Sequence, residues 1–65
     1  SGVYAYDRGG LIVALNSGDK QSFVSLPAWD GTYTDLVSGE QFTAFSQNLR
    51  FSINSKSYRI LKRDL

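Results

Sequence analysis

The chain has 65 residues, enough for one domain spanning 1–65 and for a small hydrophobic core only. It contains no cysteine and no histidine, which excludes disulfide staples, thiolate or imidazole metal sites, and Ser-His or Cys-His nucleophilic catalysis. Seven basic residues against six acidic ones leave a net charge of +1. Only Lys62-Arg63 stand side by side, so there is no basic face for nucleic acid. The longest apolar run, Leu11 to Leu15, is too short to cross a bilayer. No cofactor, metal, nucleic-acid or membrane partner is expected.

Turn signals divide the chain at regular intervals. Arg8-Gly9-Gly10, Asn16-Ser17-Gly18-Asp19, Pro27 to Gly31, Ser38-Gly39, Ser46-Gln47-Asn48 and Asn54-Ser55-Lys56 supply the glycines and Asn/Asp side chains that tight turns need. Between them lie seven segments, predicted as strands at Val3–Asp7, Leu11–Asn16, Gln21–Leu26, Thr32–Val37, Glu40–Phe45, Leu49–Ile53 and Ser57–Lys62. The rhythm is that of an all-β, antiparallel Greek-key β-sandwich of about seven short strands.

The period-2 patterns set the expected faces. Val24 and Leu26 flank Ser25, and Leu49, Phe51 and Ile53 alternate with Arg50 and Ser52. Tyr58 and Ile60 flank Arg59 in the same way. The expected core therefore comprises Val13, Leu15, Val24, Leu26, Leu36, Phe51, Ile53, Tyr58 and Ile60. Leu11-Ile12-Val13-Ala14-Leu15 is apolar on both faces, so either it is central and covered twice or its outer face docks against something absent from this chain. With Val13 and Leu15 inside, Ile12 and Ala14 must point outward.

The acids are Asp7, Asp19, Asp30, Asp35, Glu40 and Asp64. Asp35 and Glu40 flank the Ser38-Gly39 hairpin and are the one pair placed to face each other, but they read as solvated strand-end carboxylates. No calcium loop or phosphate-cradling glycine loop occurs. Trp29, in Pro27-Ala28-Trp29-Asp30-Gly31, is the aromatic in an unusual place, a turn. It reads first as packing over an open core end or as an interdomain contact, and second as a platform for a ligand ring. The four tyrosines are ordinary strand residues.

Several stretches, taken in order, resemble the C-terminal β-domain of the α-amylase superfamily, glycoside hydrolase family 13. Val3-Tyr4-Ala5-Tyr6-Asp7-Arg8 is similar to that family's hydrophobic strand ending in Arg, and Leu11-Ile12-Val13-Ala14-Leu15-Asn16 to its apolar strand closed by Asn. Gly31-Thr32-Tyr33-Thr34-Asp35-Leu36-Val37-Ser38-Gly39-Glu40 resembles its strand entering a Ser-Gly-Glu hairpin. Ser57-Tyr58-Arg59-Ile60-Leu61 resembles its closing strand.

The resemblance implies a non-catalytic domain that packs against and stabilises a catalytic (β/α)8 barrel. The catalytic carboxylates of such enzymes lie in that barrel, so none is assigned in this chain. The implied parent is a retaining enzyme acting on α-glucans such as starch, maltodextrin, pullulan or cyclodextrin. A carbohydrate-binding module, or an unrelated structural β-domain, are the alternatives. The expected surface for the barrel or for sugar consists of Ile12, Phe23 and Trp29. Cytoplasmic and secreted parents both fit. Ser1-Gly2 reads as a cloning remnant, and Lys62-Arg63-Asp64-Leu65 departs from an ER-retention signal.

Overall fold

The computed structural model describes residues 3–64, the Arg8 side chain aside, so readings that rest on Ser1, Gly2 or Leu65 lie outside it. Seven strands follow one another: β1 (Val3–Arg8), β2 (Leu11–Asn16), β3 (Ser22–Pro27), β4 (Gly31–Asp35), β5 (Gln41–Ala44), β6 (Asn48–Ile53) and β7 (Ser57–Arg63). Each lies within two residues of its expected position. All pairings are antiparallel. One sheet has five strands in the order β1-β2-β7-β4-β5, and the other pairs β3 with β6. Insertion of β7 between β2 and β4 breaks the sequential order, as Greek-key connections do.

Local chemistry explains the turns. Gly9 and Gly10, at φ of 60° and 87°, form a two-residue loop between β1 and β2, the mirror-image turn that suits twisted hairpins. Ser46 and Gln47 make a similar turn without glycine, at φ of 55° and 60°. Their strain is offset by bonds on both sides of the Gln47 peptide. The Gln47 N–H donates to Asp30 Oδ1 at 2.6 Å, and the Gln47 carbonyl accepts from Ala28 N–H at 3.2 Å.

The core lies between the two layers. Ile12, Ala14, Tyr33, Ala44 and Leu61 face it from the five-stranded sheet, and Val24, Leu49, Phe51 and Ile53 from β3 and β6. The expectations for Val24, Phe51 and Ile53 hold. Those for β2 and β7 are inverted: Ile12 is 0% exposed, whereas Leu15 is 47% and Tyr58 53% exposed. Leu36 also lies outside, at 59%. Val13, Leu26 and Ile60 are half-buried.

Two polar side chains set this parity. Asn16 shares the face of Ile12 and is itself fully buried. Its Nδ2 donates to the carbonyls of Lys20, Ile53 and Asn54 at 2.8, 3.2 and 3.1 Å, and its Oδ1 accepts from Gly18 N–H at 2.9 Å. Asn16 therefore ties β2 to the end of β6, and an outward Asn16 would leave those carbonyls without a partner. Arg59 also turns inward, opposite Ala14 in the register, where a small side chain leaves room for its guanidinium.

Inversion of β2 gives a direct stability test. Ile12→Ala should cost about 2–5 kcal/mol, against roughly 3–10 kcal/mol for the whole fold. Val13→Ala should cost about 1 kcal/mol or less. Thermal melts of the two variants check this, and equal losses would contradict the assigned faces.

Candidate functional site

The charged cluster of the interior is a structural lock. Arg59 Nη1 lies 2.7 Å from Asp35 Oδ2 and 2.9 Å from Glu40 Oε1, while Nε donates to the Ser52 carbonyl on β6 at 2.6 Å. The guanidinium carbon sits 4.9 Å from the Phe42 ring centroid, and Phe42 packs on Phe51 at 5.8 Å. Asp35, expected in solvent, is 1% exposed. It turns inward because its Oδ1 also accepts the N–H groups of Val37 and Ser38 at 2.8 and 3.4 Å and so closes the hairpin. Burial alone would raise the Asp35 pKa. The Val37 N–H, the Arg59 guanidinium and Ser38 outweigh it and hold the carboxyl below the usual carboxylate range. Both carboxylates grip one guanidinium, so neither is free to face a sugar across a cleft.

A carboxyl whose pKa is depressed on folding stabilises above its unfolded value, near 4, and that contribution is lost as pH falls through the folded value. The melting temperature should therefore drop steeply as pH falls below about 4. Asp35→Asn should be less stable at pH 7 and show a flatter acid limb. Parallel pH profiles for the two proteins would contradict the assignment.

The outer face of the five-stranded sheet carries a run of exposed apolar side chains. Registers place Tyr4, Leu15 and Tyr58 in one row across β1, β2 and β7, and Tyr6, Val13 and Ile60 in the next. Leu36 follows beside Ile60, its N–H donating to the Ile60 carbonyl at 2.8 Å. Tyr4 is 64% exposed, and Leu11, Leu15, Tyr6 and Tyr58 are exposed as well. Three adjacent strands thus present a continuous apolar strip to solvent. Tyr4 and Tyr6 contact at 5.5 Å but are inclined by 54°, so they do not form the flat platform of a sugar-binding module.

The expected surface residues are not brought together. Ile12 is a correction: it lies in the core opposite Leu61, because the Asn16 and Arg59 anchors turn its face inward. Phe23 is 82% exposed on the outside of β3, opposite Ser52. Trp29 is 75% exposed in the turn that follows β3, and does not fold back over the core. The β2 and β7 strip was missed because the apolar residues were assigned to the core. Its sequence signal was that Leu11 to Leu15 carries more apolar side chains than one face can bury.

The model of the α-amylase C-terminal all-β domain matches residues 1–63. The chain belongs to that family. No curated protein matches it significantly. A solved structure of an AmyP variant in complex with maltotriose is similar in fold, with a TM-score of 0.71 and 24% identity over 83% of this chain. The chain corresponds to 12% of that protein's length.

Proposed function

We propose that this chain is the non-catalytic C-terminal domain of an α-amylase-type glycoside hydrolase acting on α-glucans, and that it docks on the catalytic (β/α)8 barrel through the outer face of its five-stranded sheet. The in-register apolar strip across β1, β2 and β7 carries the reading. Small monomeric domains rarely leave such a strip uncovered unless a partner uses it. Family membership supports the choice of partner, and the similar AmyP structure, much longer than this chain and holding maltotriose, supports the α-glucan. The domain's role is then to cap and stabilise its neighbour.

Leu15 and Tyr58 are direct cross-strand partners, which allows a clean test. The pair Leu15→Glu with Tyr58→Lys makes the face polar while keeping an attractive cross-strand contact. The isolated chain should keep its circular dichroism and melting temperature, while the longer enzyme carrying the same pair should melt several degrees lower or become sensitive to protease. An unchanged longer enzyme would overturn the docking surface.

The isolated chain should release no reducing sugar from maltodextrin, since Asp35 and Glu40 are both committed to Arg59. Turnover that disappears in Glu40→Gln would overturn the non-catalytic role.

A further inference from the structure

We infer that Trp29 and the concavity beside it form a contact for α-glucan at the end of the sandwich, beyond the Leu11 end of the apolar strip; the choice of ligand rests on the function proposed above. Trp29 is the chain's single tryptophan, and its backbone is held on both sides. Its carbonyl accepts from Tyr33 Oη at 2.9 Å, and Tyr33 is itself 3% exposed. The next residue, Asp30, offers its carbonyl to Arg63 Nε at 3.0 Å and its carboxylate to Gln47 N–H. An exposed indole on so fixed a mount is preorganised, and a preorganised group binds without the usual ordering cost.

Arg63 completes the mount. Its guanidinium carbon lies 5.6 Å from the Trp29 ring centroid and holds the indole from one side. Gly31, at φ 137°, makes room for it, since a Cβ there would come within 3.1 Å of Arg63 Nε. Beside the ring opens a concavity of about 610 Å³, bounded by Asp7, Gly10, Leu11, Tyr33, Lys62 and Arg63.

This set of groups suits a neutral polyhydroxyl ligand. A pyranose presents a face of polarised C–H bonds that stack on the negative face of an aromatic ring. Its hydroxyls, each both donor and acceptor, can meet one carboxylate, Asp7, and the cationic donors Lys62 and Arg63. A flat protein interface would not need a concavity rimmed by both signs of charge. The position is also open: Tyr33 and Arg63 belong to the inward register while Leu11 and Lys62 face outward, so the site opens at the β1–β2 hairpin end of the sandwich, where it meets the margin of the outer sheet face.

The lone tryptophan is its own reporter. Maltoheptaose should shift the Trp29 fluorescence of this chain saturably, with half-saturation at roughly millimolar concentration. Cellohexaose should give at most a tenth of that affinity. In native gels containing soluble starch the chain should be retarded, Trp29→Ala should run as in a starch-free gel, and Arg63→Gln should be intermediate. Because the indole is exposed, Trp29→Ala should melt within a few degrees of the parent chain.

A fluorescence signal that does not move, one that moves equally with cellohexaose, or retained retardation of Trp29→Ala would each overturn the site. If Trp29→Ala does not fold alone, the longer enzyme decides. There Trp29→Ala should weaken adsorption to starch granules several-fold and leave turnover of maltoheptaose unchanged, and unaltered adsorption would overturn the site. The two readings fail separately. Granule adsorption lost through Trp29→Ala with the outer-face pair harmless keeps this site and rejects docking, and the reverse result rejects this site and keeps docking.

Discussion

The guanidinium of Arg59 closes the space between a layer of five strands and a layer of two. From β7 it reaches the Ser52 carbonyl on β6, the carboxylate of Asp35 at the end of β4, and Glu40 just before β5. Four segments therefore meet at one planar cation whose nitrogens match those acceptors. Such a centre stabilises only while every member is present, because removing one partner leaves charge in a place poor in water. The Ser38-Gly39 hairpin depends on it too, since the carboxylate that binds Arg59 also accepts the Val37 and Ser38 N–H groups.

Polar ties of this kind matter because the apolar core is slight. Among the described residues, three of the ten buried apolar side chains, Ala14, Ala28 and Ala44, are alanines and bury little surface. The small side chains are there for a reason: Ala14 lies opposite Arg59, and Ala44 opposite Gly31, where the chain passes close to Arg63. Asn16 performs at one end of the sandwich what Arg59 does nearer the middle, and Tyr33 with Arg63 fixes the other end through the Trp29–Asp30 turn. A domain organised in this way benefits from a neighbour covering its outer face.

Strand positions were legible in the sequence because glycines and Asn-containing turns mark their ends. The faces of β3 and β6 were legible too, since Val24, Phe51 and Ile53 alternate with polar residues. Those of β2 and β7 were not. Alternation normally places a charged residue in solvent, but Arg59 turns inward because Asp35 and Glu40, 24 and 19 residues away in the chain, neutralise it there. Local pattern does not encode partners so distant. Once Arg59 is inside, the register carries Tyr58 and Ile60 out, and with them Leu15 and Val13. Trp29 stood out in the sequence as a tryptophan in a turn. Its mount was not visible there, because Tyr33, Gln47 and Arg63 converge on that turn only in the fold.

The place of β7 governs when this fold can exist at all. The strand made last of the seven is the one at the middle of the large sheet, flanked by β2 and β4. Until it emerges from the ribosome, the β1–β2 and β4–β5 hairpins have no common sheet, and each presents an open edge. Arg59, the shared cation, arrives with the same strand. Folding is thereby deferred until translation has passed residue 63, and a product cut short before Ser57 would expose two unpaired edges and two uncompensated carboxylates. Such a chain is a ready target for proteolysis, so the topology itself discriminates copies that carry β7 from those that lack it.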